Sequence, residues 1–275
     1  MHFGSEYGPD RAIWHRPGMT RIEIWRRVAE MIREEIGEAL WLGCGCPLWA
    51  SIGLVDAVRI GRDVGVAWSG DYSAQSLLRD QSCRNFANHI LWQSDPDCVP
   101  LRQRFSDLSD EEIKSLAIYA GMTGGVIMTS DHLGELSPGR LNLWRLLLSE
   151  DRASCDFPLL GQSDIFYERT VNAQLKQVLH AAAAEDPVLV QVRHTMSNGG
   201  IGAIFFLNTS AQAVQRTYHL ADLGIKDAVY LSHWENQFSS EQAQAKITLM
   251  LPGHQSALYF FSSNLIRDIP VRLSS

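Results

Sequence analysis

The sequence predicts an α/β region followed by an antiparallel β region, and two observations support this fold class. From about residue 20 to residue 150, amphipathic helical stretches alternate with short apolar runs, an order that builds a parallel sheet with crossover helices. From residue 153 onward, short apolar or alternating runs are separated by turn residues, which is typical of a β-sandwich. We therefore expect one domain over residues 1–152 and a second over residues 153–275.

Four helices are expected in the first region, each with a polar residue placed to cap its first turn. The N-terminal caps are Thr20 with Glu23, Asp71 or Ser73, Ser109 with Glu112, and Ser137 before Pro138. Glycine ends two of these helices, at Gly37 and at Gly124. The apolar stripe of the second helix extends through Phe86 and Ile90, so both side chains are expected to be buried.

Short apolar runs between these helices are expected to be strands, at residues 39–42, 55–60 and 126–129. Polar residues follow the strand ends, among them Cys44, Asp63, Asp95 and Asp131. A complete eight-stranded barrel takes about 250 residues, so this region is either half a barrel or a small open sheet. In either case the polar strand ends meet at one rim, where α/β sheets and barrels bind ligands.

The second region is expected to contain six strands, at residues 188–192, 201–207, 214–218, 229–234, 247–251 and 257–261. Turn residues such as Asn198-Gly199 and Pro252-Gly253 separate them. Residues 171–184 fit either a strand or a helix, and both assignments stay open.

The composition is that of a globular protein, with 45% apolar and 20% charged residues. A net charge of −7 provides no basic field for a phosphate backbone, so no nucleic-acid partner is expected. No apolar run reaches the length of about 20 residues that spans a bilayer, and the N-terminus lacks the pattern of a signal peptide. We therefore expect a cytoplasmic protein with no membrane partner.

The cysteines favour neither a disulfide scaffold nor a metal site. Their number is odd, and they are spread over a long chain. Cys44 and Cys46 resemble half of a zinc site, but no second close pair with histidine follows. No metal and no other cofactor is therefore expected.

Asp63 is the first candidate for chemistry, because a carboxylate directly after a strand suits acid–base catalysis where its neighbours are apolar. The plainer alternative is a solvated loop aspartate paired with Arg59 or Arg62. Arg59 in turn either binds substrate or ties loops together, and Cys44 on its own indicates only a small buried filler. The residues alone leave these alternatives open.

Three other features have a possible functional interpretation. Asp95-Pro96-Asp97 is suited to a sugar hydroxyl or a cation, although a turn with helix-capping aspartates is the better explanation. Ser130-Asp131-His132 is not expected to act as a triad, because adjacent residues cannot reach one another in the required order. Tryptophans stack on sugar rings, but at helical positions such as Trp25 and Trp144 they are expected in the core.

The stretch LGCGCPLWASIGLVDAVRIGRDVG at residues 42–65, with the later segments WQSDPDC, LSDEEI and GGVIMTSDHL, resembles glycoside hydrolase family 36, the α-galactosidase or melibiase family. The segments IFFLNTS, HLADLGI, VYLSHWENQ and LPGHQSALYFF are similar to the β-sandwich that follows the barrel of that family. The resemblance covers roughly residue 20 to the end. It implies the second half of a (β/α)8 TIM barrel followed by an antiparallel β-sandwich, and hydrolysis of terminal α-galactosyl residues with retention.

The resemblance also implies roles for three residues. Asp63 falls on the family's general acid/base. Arg59 and Cys44 fall on residues that line its galactose pocket.

Retention requires a second carboxylate, the nucleophile, about 5 Å from the first. In the family it belongs to a strand end about forty residues before the cysteine motif, a register where this chain has His2. Glu6 and Asp10 are the acids near that register, and their spacing supports neither as the nucleophile.

Two hypotheses follow from the match and from this departure. In the first, the chain is part of an α-galactosidase-like retaining hydrolase that acts on α-galactoside oligosaccharides, N-terminally incomplete as given. In the second, it is an inactive remnant or a sugar-binding half-barrel subunit that needs a partner chain. Because a half barrel exposes sheet edges that pair or aggregate, we expect a homo-oligomer or pairing with a missing barrel half.

Overall fold

The computed structural model describes residues 13–70, 72–148, 153–160, 186–194, 200–235 and 239–266. Its helices are α1 (Arg21–Ile36), α2 (Ala74–Arg84), α3 (Asp110–Thr123) and α4 (Pro138–Leu147). Its strands are β1 (Leu42–Gly43), β2 (Ala57–Arg59), β3 (Gln93–Asp95), β4 (Val188–Arg193), β5 (Gly202–Asn208), β6 (Val214–His219), β7 (Tyr230–His233), β8 (Lys246–Leu251) and β9 (Ser256–Ser262). The sequence predictions at His2, Glu6, Asp10 and residues 171–184 lie outside the described residues.

The helices begin where their capping residues predict. The N-caps are Thr20 with Glu23, Ser73, Ser109 with Glu112, and Ser137. In each case the cap side chain accepts a hydrogen bond from a backbone N–H of the first turn, an interaction that stabilises a helix by about 1 kcal/mol. Gly124 ends α3 in the left-handed conformation, as its position predicts.

The apolar stripe of α2 is shorter than the sequence predicts. The helix ends at Arg84, and residues 85–87 form a separate 3-10 turn. Phe86 and Ile90 are 64% and 76% exposed, so the prediction that both are buried is wrong. The reason is geometric, because the helical period that would turn both side chains inward does not continue past Arg84.

The first three strands form a parallel sheet in the order β1-β2-β3. The register sets Leu42 opposite Ala57 and Arg59 opposite Asp95. The polar residues that follow or end these strands therefore lie at one edge of the sheet, as predicted.

The predicted strand at residues 126–129 is wrong as a regular strand. The segment instead runs beside β3 through separate hydrogen bonds, from Val126 N–H to the Ser94 carbonyl and from Val99 N–H to the Met128 carbonyl, each 2.8 Å long. Gly125 permits this approach, because a Cβ atom there would lie 2.4 Å from the Ser94 oxygen. The segment delivers Asp131 to the region of Leu101 without completing a ladder.

All six strands predicted after residue 186 are present. They form a four-stranded antiparallel sheet in the order β4-β5-β9-β7 and a two-stranded antiparallel sheet, β6-β8. Side chains of both sheets contribute to one apolar cluster, which includes Val190, Ile204, Phe206, Ile247 and Leu249. The opposite face of the larger sheet is buried as well.

Helix α3 packs on that opposite face and joins the two regions. Leu116 and Tyr119 of α3 belong to the same buried cluster as Phe205 and Phe260 of the sheet. Polar contacts add to it: Arg193 Nη2 donates to the carbonyls of Gly121 and Met122 near the C-terminus of the helix, at 3.0 and 2.9 Å. The domain boundary at residues 152 and 153 stays a prediction, and the two regions share a core.

Candidate active site

Arg59 and Asp95 form the base of the site. They are paired across β2 and β3 at the strand ends, and Arg59 Nε donates to Asp95 Oδ2 at 2.9 Å. The Asp95 side chain is completely buried and that of Arg59 is 12% exposed. The strand register, rather than loop geometry, therefore brings the guanidinium to this carboxylate.

Asp97 is the second carboxylate on the same guanidinium. Its Oδ1 lies 2.9 Å from Arg59 Nη2 and accepts from Cys98 N–H, while its Oδ2 accepts from Val64 N–H at 2.7 Å. The other oxygen of Asp95, Oδ1, accepts from Asp97 N–H at 2.8 Å. Asp97 adopts a left-handed backbone conformation, with φ of 84°, which turns its carboxylate back towards the sheet.

Asp63 occupies the outer position of the cluster. Its Oδ1 lies 3.3 Å from Arg59 Nη1, and its side chain is 79% exposed. Arg59 thus holds two carboxylates with short contacts on Nε and Nη2 and a third, solvent-facing one with a longer contact on Nη1. Of the three carboxylates, only that of Asp63 is open to a molecule arriving from solvent.

The charges of the cluster keep Arg59 protonated. Burial disfavours the charged guanidinium, but the hydrogen bond and charge of Asp95, the charge of Asp97 and the neighbouring Cys44 sulfur raise the pKa of Arg59 above its ordinary value. Arg59 therefore remains a cation throughout the physiological range.

The two nearby cysteines differ in their surroundings. Cys44 directly follows β1 and is exposed, so the interpretation of this residue as a buried filler is wrong. Cys98 is partly buried, and burial raises the pKa of its thiol, opposed by a hydrogen bond with Ser130. Cys98 is thus a protonated thiol beside Asp97, while Cys44 faces solvent next to the Arg59 charge.

The Asp63 loop, residues 61–68, is held at several points after β2. A Cβ atom on Gly65 would lie 1.8 Å from the Tyr72 carbonyl oxygen, so the close approach of the two segments requires glycine. The carbonyl of Val66 accepts from Asp107 N–H at 2.9 Å, and that of Ala67 accepts from Ala74 N–H at 3.0 Å. The exposed carboxylate of Asp63 therefore extends from a backbone that these contacts hold in place.

The second region also supports the Asp63 loop. Trp68 stacks on His254, with ring centroids 4.0 Å apart and planes 14° apart. His254 Nδ1 lies 2.6 Å from Glu112 Oε1, and the His254 carbonyl accepts from Ser115 of α3. Sequence analysis missed His254; its left-handed position in the Pro252-Gly253-His254 turn was visible only as a turn pattern.

Asp131, the other strand-end candidate, has a structural role. Its side chain is 2% exposed, and Oδ2 accepts from the backbone N–H groups of Leu101 and Arg102. It borders a cavity of about 390 Å³ whose lining includes Arg104, Phe105 and His132. Its other oxygen, Oδ1, lies 3.7 Å from Arg102 Nη1, so both oxygens of this carboxylate have partners within the protein.

The described residues hold no group of three or more histidine, cysteine, aspartate or glutamate side chains arranged for a metal ion. Within that same part of the chain, no helix is long and apolar enough to cross a membrane. Trp25 is buried in the core, and Trp144 packs partly buried against the shared cluster, as their helical positions predict.

The arrangement of elements is similar to that of solved glycosidases. A putative α-galactosidase from Bacteroides fragilis NCTC 9343 matches with a TM-score of 0.66 at 15% identity, over 90% of this chain and 53% of that chain. α-Galactosidase I from Mortierella vinacea matches with a TM-score of 0.64 at 11% identity, over 88% of this chain and 64% of that chain. The chain has an α-galactosidase-type fold.

The structural similarity covers part of each related enzyme and concerns the fold. A GH27 β-L-arabinopyranosidase from Geobacillus stearothermophilus matches with a TM-score of 0.66 at 13% identity, over 87% of this chain and 55% of that chain. No family model matches the chain. The chain thus spans between about half and two thirds of these enzymes, and at such identities the similarity concerns the fold. Membership of family 36 was expected from the sequence; the comparisons support the broader statement that the chain has an α-galactosidase-type fold, which a GH27 enzyme shares.

Proposed function

We propose that the chain is part of a retaining α-galactosidase-like glycoside hydrolase in which Asp63 is the general acid/base. The observation that carries this proposal is the place of Asp63, shortly after β2 at the ligand-binding edge of a parallel sheet, in a chain with this fold; its exposure and its pairing with Arg59 are shared with the plainer alternative of a solvated loop aspartate. The finer architecture that we propose is the second half of a (β/α)8 barrel with a following β-sandwich, and the family that we propose is glycoside hydrolase family 36.

The proposed chemistry uses Asp63 twice. Protonated Asp63 donates its proton to the glycosidic oxygen as the bond to the leaving group breaks and the nucleophilic carboxylate forms a bond to the anomeric carbon, which gives the glycosyl intermediate. The resulting carboxylate then takes a proton from the water that hydrolyses the glycosyl intermediate, so the residue returns to its starting state. The exposure of Asp63 suits both steps, because the leaving group and the water both reach it from solvent.

Arg59 and Cys44 are proposed to contact the sugar. Cys44 is exposed beside the guanidinium, and Arg59 Nη1 is the arm of the fork that faces Asp63. A sugar hydroxyl at Nη1 would accept from the cation and lie close to Asp63. The Nε and Nη2 arms stay with Asp95 and Asp97.

The proposed reaction also requires a second carboxylate that acts as the nucleophile. Asp95 and Asp97, which share Arg59 with Asp63, are 0% and 10% exposed, and their oxygens already accept hydrogen bonds. Neither is free to attack a sugar. We propose that the nucleophile comes from outside the described residues, in the same polypeptide or in a partner chain.

This observation also supports the second candidate function, a sugar-binding subunit that completes its site with a partner. The exposed rings of Trp49 and Phe86, which stack with centroids 6.4 Å apart, are compatible with such pairing. In this alternative the purified chain binds galactose and does not hydrolyse α-galactosides. Pairing, whether with a second copy or with a missing barrel half, would appear as a larger species in sedimentation.

The experiment compares Asp63→Asn with Asp56→Asn in the full chain, using an α-galactosyl disaccharide as substrate and galactose as ligand. Asp56 precedes β2 and pairs with Arg33, away from the site, so it is the matched control. We expect Asp63→Asn to lower kcat by about 10²- to 10⁴-fold and Asp56→Asn to leave it unchanged. Hydrolysis unchanged by Asp63→Asn would contradict the acid/base role; galactose binding without hydrolysis would favour the second candidate.

A further inference from the structure

The Asp95-Pro96-Asp97 segment holds two buried carboxylates that the proposed chemistry does not use. The sequence interpretation of these aspartates as helix caps is wrong, because their oxygens accept from Arg59, Val64, Asp97 and Cys98 rather than from a helical first turn. Buried carboxylates are unfavourable unless they are paired and hydrogen-bonded. Stability alone therefore does not explain why two buried carboxylates contact one guanidinium.

The two aspartates contact two different nitrogens of the guanidinium. Asp95 contacts Nε and Asp97 contacts Nη2, so the planar guanidinium of Arg59 is held at two points and cannot rotate freely about either contact. The remaining Nη1 is thereby directed to Asp63. A single carboxylate would leave the fork free to turn about one contact.

Asp97 also holds the backbone next to Asp63. While its Oδ1 contacts Arg59, its Oδ2 accepts from Val64 N–H at 2.7 Å, one residue after Asp63. The same carboxylate thus links the guanidinium and the loop that carries the proposed acid. Asp95 supports Asp97 through the 2.8 Å bond to its N–H.

We propose that Asp95 and Asp97 are positioning residues that fix Arg59 and the backbone at Val64, and through both of them the carboxylate of Asp63. This inference rests on the proposed function for its effect on catalysis. Its geometric part, that the two carboxylates determine where the Asp63 loop and the guanidinium lie, holds for either candidate function.

The kinetic test uses Asp97→Asn, Asp95→Asn and the control Asp56→Asn. An asparagine at position 97 keeps the volume but cannot accept from both Arg59 and Val64 N–H, because one of its two terminal groups is a donor. We expect kcat to fall by about 100-fold with little change in KM, since a shift of about 1 Å in the acid has an effect of this size. Asp97→Glu is expected to recover part of the loss, because it restores two acceptor oxygens on a longer arm.

An NMR experiment on the same variants separates the inference from the proposed function. The Arg59 Nε–H signal is expected to be protected from exchange in the wild-type chain, to be lost in Asp95→Asn, and to persist in Asp97→Asn, in which the Val64 amide signal moves instead. If Arg59 and Val64 signals are unchanged in both variants, the positioning role is refuted whatever the activity. If the signals respond while Asp63→Asn leaves hydrolysis intact, the acid/base proposal fails and the positioning role stands.

Arg59→Lys covers the case in which an aspartate variant does not fold. Lysine keeps the charge but lacks the planar fork that reaches Asp95 and Asp97 together. We expect a loss of kcat similar to that of Asp97→Asn and a shifted Val64 amide signal. Wild-type kcat and an unmoved Val64 signal in this variant would overturn the proposal.

Discussion

Asp63 and Asp131 both follow apolar segments at the edge of the parallel sheet, yet their carboxylates have opposite environments. The Asp63 side chain is 79% exposed and contacts Arg59, whereas that of Asp131 is 2% exposed and accepts from two backbone N–H groups. Both oxygens of Asp131 already have partners, Oδ2 in the backbone and Oδ1 in the Arg102 guanidinium at 3.7 Å, so this buried carboxylate is not open to a substrate. What a strand-end acid can do therefore depends on what its oxygens bind, and not on its place at the rim.

The largest expected effect follows from the open carboxylate. Asp63→Asn is expected to lower hydrolysis of an α-galactosyl disaccharide by about 10²- to 10⁴-fold while the free energy of unfolding changes by less than about 0.5 kcal/mol, because the side chain is exposed. Steady-state kinetics and urea unfolding of the same preparation measure both quantities. A variant that loses stability along with activity would place Asp63 among the structural aspartates.

The reverse outcome is expected for Asp131→Ala. Removal of its carboxylate leaves the N–H groups of Leu101 and Arg102 without their acceptor, so the free energy of unfolding is expected to fall by about 2–3 kcal/mol. Under conditions where the variant is folded, kcat is expected to stay within about twofold of the wild type. A loss of kcat at full stability would show that Asp131 takes part in the reaction.

A smaller effect is expected where the two regions meet. His254→Ala removes the stacking on Trp68 and the contact with Glu112, which together contribute about 1–2 kcal/mol to the free energy of unfolding. Because Trp68 ends the Asp63 loop, a moderate loss of kcat is expected as well. Chemical unfolding and kinetics measure both; His254→Gln, which keeps a hydrogen-bonding group but no ring, is expected to lose the stacking part alone.

The smallest effect concerns Asp56, at the opposite end of β2 from Asp63. The hydrogen bond from Arg33 and that from Trp41 N–H lower the pKa of Asp56, so its contribution to stability is present above its unfolded-state pKa and lost as the pH falls through the folded-state pKa. Asp56→Asn is therefore expected to lower the free energy of unfolding by less than about 1 kcal/mol at neutral pH, since the pair is partly exposed. The difference should vanish towards about pH 2, as urea unfolding across pH would measure; a difference that grows in acid would contradict this account.

Local patterns predicted the helices and the antiparallel strands, because caps, glycines and side-chain periods act within a few residues. Thr20, Ser109 and Ser137 cap helices as their sequence contexts indicate. The approach of Arg59, Asp63 and Asp95 to one sheet edge was also predictable, since parallel strands end on the same side.

Contacts between distant segments were not predictable in the same way. The burial of Asp95 and Asp97 depends on the register of β3 against β2, and a local pattern of Asp-Pro-Asp fits a helix cap equally well. His254 reaches Trp68 only because α3 packs the second region against the first. The apolar spacing of α2 continues through Phe86 and Ile90 although the helix ends at Arg84. No single residue in the sequence marks that end.

The most direct test of Asp63 as the acid is the dependence of the Asp63→Asn defect on the leaving group. In the full chain, kcat/KM of this variant and of the wild type would be compared for an α-galactosyl disaccharide and for an aryl α-galactoside with a strongly acidic phenol. A proton donor matters for the sugar leaving group and hardly at all for the acidic phenol, so we expect a large loss of kcat/KM with the disaccharide and a much smaller loss with the aryl substrate. Equal losses with the two substrates would contradict the acid role and leave Asp63 as a residue that only orients the sugar.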